Sequence, residues 1–141
     1  MKNITLNYTT MIIALVAIPS YVAYILFTGE PDASVIAGAA LTIIALLFIV
    51  IARIQLGHSF SVTPQAHQLV TRGLYSKIRH PIYVFAQFLI LGMILCIKMY
   101  ILFIVWAVLI FIQVSRAKSE EKILEEKFGD AYREYKRNTW F

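Results

Sequence analysis

Charge is scarce in this chain and cysteine nearly absent. Asp, Glu, Lys and Arg make up only 15% of the residues, and Cys96 is the single thiol. One thiol excludes an intrachain disulfide framework or a paired-thiol metal site. Cys96 also lies inside an apolar run, where packing is its expected role. Also lacking are a glycine loop suited to phosphate, a Ser-His-Asp set, a metal-ligand cluster, internal repeats and low-complexity linkers. Alternation of apolar and polar residues is missing too, which excludes a lipid-facing barrel.

What fills the chain is hydrophobic residues, at 60%, with a mean hydropathy of +0.72. That is too apolar for an ordinary soluble domain of 141 residues. A membrane-spanning helix needs about 20 predominantly apolar residues, with roughly 17 as a lower limit. Four runs approach this: Met11 to Phe27, Val35 to Ala52, Ile82 to Ile97 and Tyr100 to Val114. Lipid leaves backbone N–H and C=O groups no outside partner, so such runs must be helical. The expected fold is an all-α integral membrane protein of about four transmembrane helices. The last two are parted only by Lys98 and Met99 and form a tight hairpin of short spans. The first run follows Lys2, but no small-residue cleavage site precedes Gly29-Glu30-Pro31-Asp32, so it is read as a helix rather than a removed leader.

Basic residues set the orientation. The connection from Thr28 to Ser34 carries Glu30 and Asp32 without Lys or Arg. Lys2, Arg53, Arg72, Lys77, Arg79 and every basic residue from Arg116 to Arg137 fall on the other side if the four runs alternate. Both termini are therefore expected in the cytoplasm. The net charge of +5 is that of a basic rim against anionic headgroups, and no nucleic acid is needed to explain it. The whole is one domain, 1–141, with two N-terminal spans in 1–56 and the functional part in 57–141.

Two stretches are not simple spans. The first, Gly57 to Arg79, is a long connection with too many apolar and aromatic residues for disorder. Gly73 supplies a turn, and Pro81 suits the first turn of the third helix. The second, Ser115 to Phe141, has Leu124, Phe128, Tyr132 and Tyr135 at helical spacing and is expected to form a cytoplasmic amphipathic helix, broken or kinked at Gly129-Asp130. Arg116 and Glu120 share one of its faces, and Glu121 points elsewhere. Taken alone, Arg79-His80-Pro81 reads as a basic stop before a helix-starting proline, and Arg116 and Glu120 as a surface ion pair.

Together the two stretches resemble a family. H-x-L-V-T-x-G-x-Y-x-x-x-R-H-P-x-Y over His67 to Tyr83, an apolar hairpin, then E-E-x-x-L-x-x-x-F-G-x-x-Y-x-x-Y over Glu120 to Tyr135 are similar to the isoprenylcysteine carboxyl methyltransferases and their phospholipid N-methyltransferase relatives. The resemblance covers about the last 75 residues, and it implies a methyltransferase that uses S-adenosylmethionine, releases S-adenosylhomocysteine and needs no metal. By similarity, His67, Gln68, Leu69, Val70 and Tyr75 line the cofactor site, His80, Pro81, Ile82 and Tyr83 complete it, and Glu120 closes it. Arg116 matches the position that contacts the methyl acceptor.

The side-chain chemistry is compatible. The cofactor's carboxylate wants cations such as Arg79 or His80, its ammonium wants a carboxylate such as Glu120, and its adenine wants walls such as Tyr75 and Tyr83. Methyl transfer from a sulfonium asks the protein mainly to align donor and acceptor and exclude water. An ammonium acceptor must also lose a proton, for which His80 or Glu121 is placed as taker; Glu121 joins Arg116 on the substrate side of this reading.

The expected partners are membrane lipid and a lipid-like or prenylated acceptor. The acceptor is most like a prenylcysteine carboxylate, with a phospholipid amine or small thiol as alternatives. A non-catalytic membrane binding protein of the same fold is the competing class. Phe85 stands where relatives commonly carry glycine, and narrows the entrance. Ala37-Gly38-Ala39-Ala40 permits close helix packing, either within one chain or in a homo-oligomer.

Overall fold

The computed structural model of the chain describes residues 2–57 and 69–141. Among these, five α-helices form: α1 (Lys2–Thr28), α2 (Ala33–Leu56), α3 (Pro81–Ile97), α4 (Leu102–Phe128) and α5 (Asp130–Arg137). A 3-10 turn over Gly73–Ser76 precedes α3. The described residues contain no strand, only an isolated parallel bridge between Ile78 and Trp140. Thr9–Thr28, Ala33–Leu56 and Leu102–Phe128 are long and apolar enough to cross a membrane, and α3, with 17 residues, is the short apolar helix. The all-α membrane architecture is thus the one the sequence implies.

The packing is uneven. α3 lies along α2 for most of its length and meets α4 over a much smaller area. The reason is the absence of side chains at two positions. A Cβ on Gly92 would lie 2.4 Å from Thr42 Oγ1 and 2.7 Å from the Gly38 carbonyl oxygen, and one on Gly38 would lie 2.7 Å from the Gly92 carbonyl oxygen. The two backbones therefore touch, as small residues allow inside a membrane. Thr42 is wholly buried there and its hydroxyl donates to the Gly38 carbonyl at 2.8 Å, so the contact holds no unsatisfied hydroxyl. The small-residue run at Gly38 accordingly serves packing within the chain. Next to it Val22, Ala39 and Cys96 form a buried cluster with Ile25, Leu26 and Met93, which is where α1 joins. Phe85 stacks on Phe48 of α2, ring centroids 4.5 Å apart.

At the acidic end, Asp32 caps α2 by accepting the Val35 N–H at 3.1 Å. Its other oxygen takes the Lys98 ammonium at 2.8 Å. The bond to Lys98, with the Val35 and Ser34 donors, holds the Asp32 carboxyl well below the usual carboxylate range. Lys98 is the left-handed residue (φ 59°) that ends α3, so this pair pins the start of α2 to the end of α3.

The C-terminal third differs from the sequence expectation. No separate amphipathic helix begins at Ser115. With neither glycine nor proline between Leu102 and Phe128 nothing interrupts the helical bonding, and α4 runs unbroken from the apolar segment into the basic end. The break comes at Gly129, whose φ of 52° ends α4 and redirects the chain into α5. The separate amphipathic helix is therefore α5.

Gly92→Leu should cost about 1–3 kcal/mol of stability, because neither Thr42 nor the α2 backbone can withdraw. Thermal unfolding in detergent should show a clear drop in Tm. Ile44→Ala, on an outward position of α2, should leave Tm nearly unchanged; equal drops would mean the α2–α3 contact is not what holds the bundle.

Candidate active site

The motif segment before α3 is held from both sides. From α2, Gln55 Oε1 accepts the Leu74 N–H at 2.8 Å. This brings the Gln55 amide so near Gly73 (φ 63°) that a Cβ there would meet it at 2.4 Å, which is why a glycine stands at this turn. From α5, the Tyr135 hydroxyl donates to the Tyr75 carbonyl at 2.6 Å. Tyr75 is buried by the two, and its phenol is pushed well above its ordinary range by that burial.

Pro81 then opens α3, and His80 precedes it without using its ring as a cap. The freed imidazole sits between two carboxylates: Nδ1 is 3.8 Å from Glu120 Oε2, and Nε2 is 3.5 Å from Glu121 Oε1. The neighbouring carboxylates divide the remaining partners. Glu120 accepts the Tyr83 hydroxyl at 2.5 Å, and the Tyr83 ring stacks on His80 at 5.6 Å. Glu121 takes the Arg79 guanidinium at 2.8 Å and the Lys136 ammonium at 2.7 Å. Cation, carboxylate, imidazole and carboxylate thus alternate across the ends of α3, α4 and α5, and like charges never meet without a partner between them.

Two polar atoms in this cluster lack a good hydrogen bond. The hydroxyl of Tyr132 is buried without one, with no exposed surface on the residue at all, and His80 Nε2 has only the long 3.5 Å approach of Glu121. Buried polar atoms left this way have room for an ordered water or a polar group of a ligand. The Tyr132 phenol is raised by its burial, with Glu121 adding to the shift.

Outside the cluster, a groove of about 470 Å3 runs along α4, lined by Phe111, Ile112, Ser115, Arg116, Ser119 and Glu120. One end is apolar and the other carries opposite charges. Arg116 is also within reach of the Tyr83 hydroxyl. The groove and the His80 cluster therefore meet at Glu120 and Tyr83.

The segment after α5 closes the other side. Arg79 N–H donates to the carbonyls of Trp140 (3.3 Å) and Phe141 (2.8 Å), while Trp140 N–H donates to Lys77 O at 3.0 Å. The Arg79 side chain adds bonds to the carbonyls of Thr139 (3.0 Å) and Lys136 (3.4 Å). Phe141 presents its ring edge-on to His80 at 6.1 Å.

Of the residues the sequence singled out, Tyr75, Arg79, His80, Pro81, Tyr83, Glu120 and Glu121 are brought together. Arg116 joins them along the groove. Leu69 and Val70 are half-buried at the start of the described motif segment, Ile82 follows Pro81 in α3, and His67 and Gln68 lie outside the described residues. Two placements differ from expectation. Arg79 is engaged by Glu121 and the tail carbonyls, so it braces the site. Glu121 does not line the Arg116 groove; it belongs to the cluster with Arg79 and His80, which Lys136 reaches from the exposed side. Sequence reasoning passed over Gln87 and Gln113, which bond to one another between α3 and α4, and Trp106, whose indole donates to the Gln87 carbonyl at 3.2 Å. The signal was there: an amide inside an apolar span is uncommon and marks a polar contact. Tyr132 and the docked tail carried no such local mark.

Among known protein families, the model described as phospholipid methyltransferase matches residues 33–131, more than half of the chain. The match runs from the start of α2 into α5 and includes the groove together with Arg79, His80, Tyr83, Glu120 and Glu121. No curated protein and no solved structure matches the chain.

Burial holds the His80 imidazole below its ordinary value of 6.5, against the opposite pull of Glu120 and Glu121. The unfolded chain therefore takes up this proton more readily than the folded one. No penalty arises above about pH 6.5, and one grows as the pH falls below it. Melting of the detergent-solubilised protein should drop over that interval, and His80→Gln should flatten the drop. An equally acid-sensitive variant would locate the titration elsewhere.

Proposed function

This chain belongs to the phospholipid methyltransferase family, a membrane methyltransferase by that membership, and from this premise we propose that it methylates an amphiphilic acceptor with S-adenosylmethionine at the cytoplasmic membrane face. The observation that carries the reading is the junction of the groove with the His80 cluster at Glu120 and Tyr83. An apolar chain lies along Phe111 and Ile112, and a polar headgroup reaches Ser115, Arg116 and Ser119. The basic end of the helices faces the cytoplasm in this reading, in keeping with the distribution of Lys and Arg.

The residues fit the cofactor on structural grounds. Glu120 is half-buried at the groove mouth and offers a carboxylate to an ammonium, and the Tyr132 hydroxyl is buried in the same cluster without a hydrogen bond. Tyr75 and Tyr83 provide aromatic walls. S-adenosylmethionine supplies a methyl group on a sulfonium, already activated for transfer. The protein's own part is placement: Tyr83 holds Glu120, while Arg79 and Lys136 hold Glu121 and so fix His80 between the carboxylates. The apolar surroundings keep water from the transfer.

For the acceptor, the family match favours a phospholipid amine, with its phosphate on Arg116 and its amine toward His80. A protonated amine must lose a proton before it can attack, and the His80 imidazole, held between Glu120 and Glu121, is placed to take it. A prenylcysteine carboxylate on Arg116 is the second reading, favoured by the same apolar groove, and requires no proton transfer.

Calorimetric titration of the detergent-solubilised protein with S-adenosylmethionine and S-adenosylhomocysteine should show saturable binding. Glu120→Gln should weaken it roughly tenfold to a hundredfold, the loss of one charge-assisted hydrogen bond. Equal affinity would remove Glu120 from the cofactor site. Arg116→Ala should retain cofactor affinity and lose turnover, and a fall in affinity would mean the two roles are exchanged. Methyl-labelled cofactor offered with phosphatidylethanolamine or with a prenylcysteine decides between the acceptors.

A further inference from the structure

The segment 138–141 is bound to the motif by backbone, yet its largest side chain faces outward. Trp140 is 71% exposed and Phe141 44%, a large apolar display at the end of a stretch otherwise rich in charge. Its depth is fixed by pairing. Trp140 is bridged to Ile78, three residues before Pro81, the first residue of α3. The indole therefore sits at the level where an apolar helix enters the bilayer, which is the headgroup zone that tryptophan prefers. Exposed cations flank it along the chain: Lys77, whose carbonyl accepts the Trp140 N–H, with Arg72 earlier on the motif segment, and Lys136 and Arg137 at the end of α5. Glu134 is the exposed acid nearest in sequence.

We infer that this strap is a lipid-binding surface, with Trp140 seated among the headgroups and Lys77 and Arg137 engaging anionic ones. The complementarity is that of a basic rim with an aromatic anchor against a negative membrane surface. Lys77 and Arg137 are assigned because Lys136 is already paired with Glu121 and Arg72 stands five residues further from the bridge. The strap is not a passive appendage of the membrane. Its carbonyls hold the N–H groups of Arg79 and His80, so lipid engagement and the geometry around His80 are joined through one short run of backbone.

The test reads Trp140 directly. The Trp106→Phe protein, whose remaining tryptophan is Trp140, is reconstituted in phosphatidylcholine vesicles with or without phosphatidylglycerol, using lipids brominated high on the acyl chain. Trp140 emission should be quenched in both, and more strongly with phosphatidylglycerol. Replacing Lys77 and Arg137 with Gln, both exposed and remote from the α2–α3 packing, should remove that increment, at roughly fivefold in strap docking per cation. Added salt should do the same. If Trp106→Phe does not fold, the difference in quenching between the unsubstituted protein and Trp140→Phe gives the same signal. An indole untouched by brominated lipid and quenched by aqueous acrylamide overturns the lipid surface, and equal quenching in the two lipids overturns the role of the cations. No cofactor or acceptor enters the measurement, so failure of methyl transfer and failure of the strap are told apart.

Discussion

Everything at the basic end depends on two backbones being allowed to touch. Gly38 and Gly92 bring α2 and α3 into contact with no side chain between them, and this fixes both the angle and the depth of α3. The start of α3 carries His80 and Pro81, and the end of α2 carries Gln55, which grips the turn at Leu74. The motif is thus strung between the ends of two helices whose separation is set in the membrane. In lipid there is no hydrophobic force to pull helices together, so close van der Waals contact of this kind does the work that a core does in water.

On that frame, electrostatics is arranged by alternation rather than by strong single pairs. Two adjacent carboxylates on one helix would repel if left bare. Here Tyr83 satisfies the first, Arg79 and Lys136 the second, and the imidazole of His80 lies between them. The half-buried setting makes these contacts worth more than exposed pairs such as those Arg133 makes with Glu125 and Asp130. Burial likewise outweighs the pull of the two acids on His80 and lowers its affinity for a proton.

Much of this could be read before any coordinates. Run length alone marked the spans, because lipid forces helix on any apolar run, and the family resemblance, not spacing by itself, singled out Tyr83, His80 and Glu120. What escaped was whatever depended on long-range docking or on the lack of a stop. The helical spacing after Ser115 and the break at Gly129 were both legible, but not that the stretch continues the fourth span as one helix, since nothing in between stops it. Arg79 was a sound candidate for an anionic ligand by type, and only the positions of Glu121 and the tail carbonyls reveal that it is spoken for. Tyr132 looked like one more aromatic on an amphipathic face, and its orphan hydroxyl exists only once α5 has folded back.

The bridge between Ile78 and Trp140 also sets an order of assembly. Arg79 and Thr139 are separated by 60 residues, with α3, α4 and α5 between them. A chain inserted into the membrane as it is synthesised can seat α2 against α3 early, since the two are close in sequence, but loop closure between distant partners comes later. The pocket around His80 is complete only when the tail arrives. Until then the paired acids of α4 have no wall on that side, so a partly made chain holds its helices without yet holding its site.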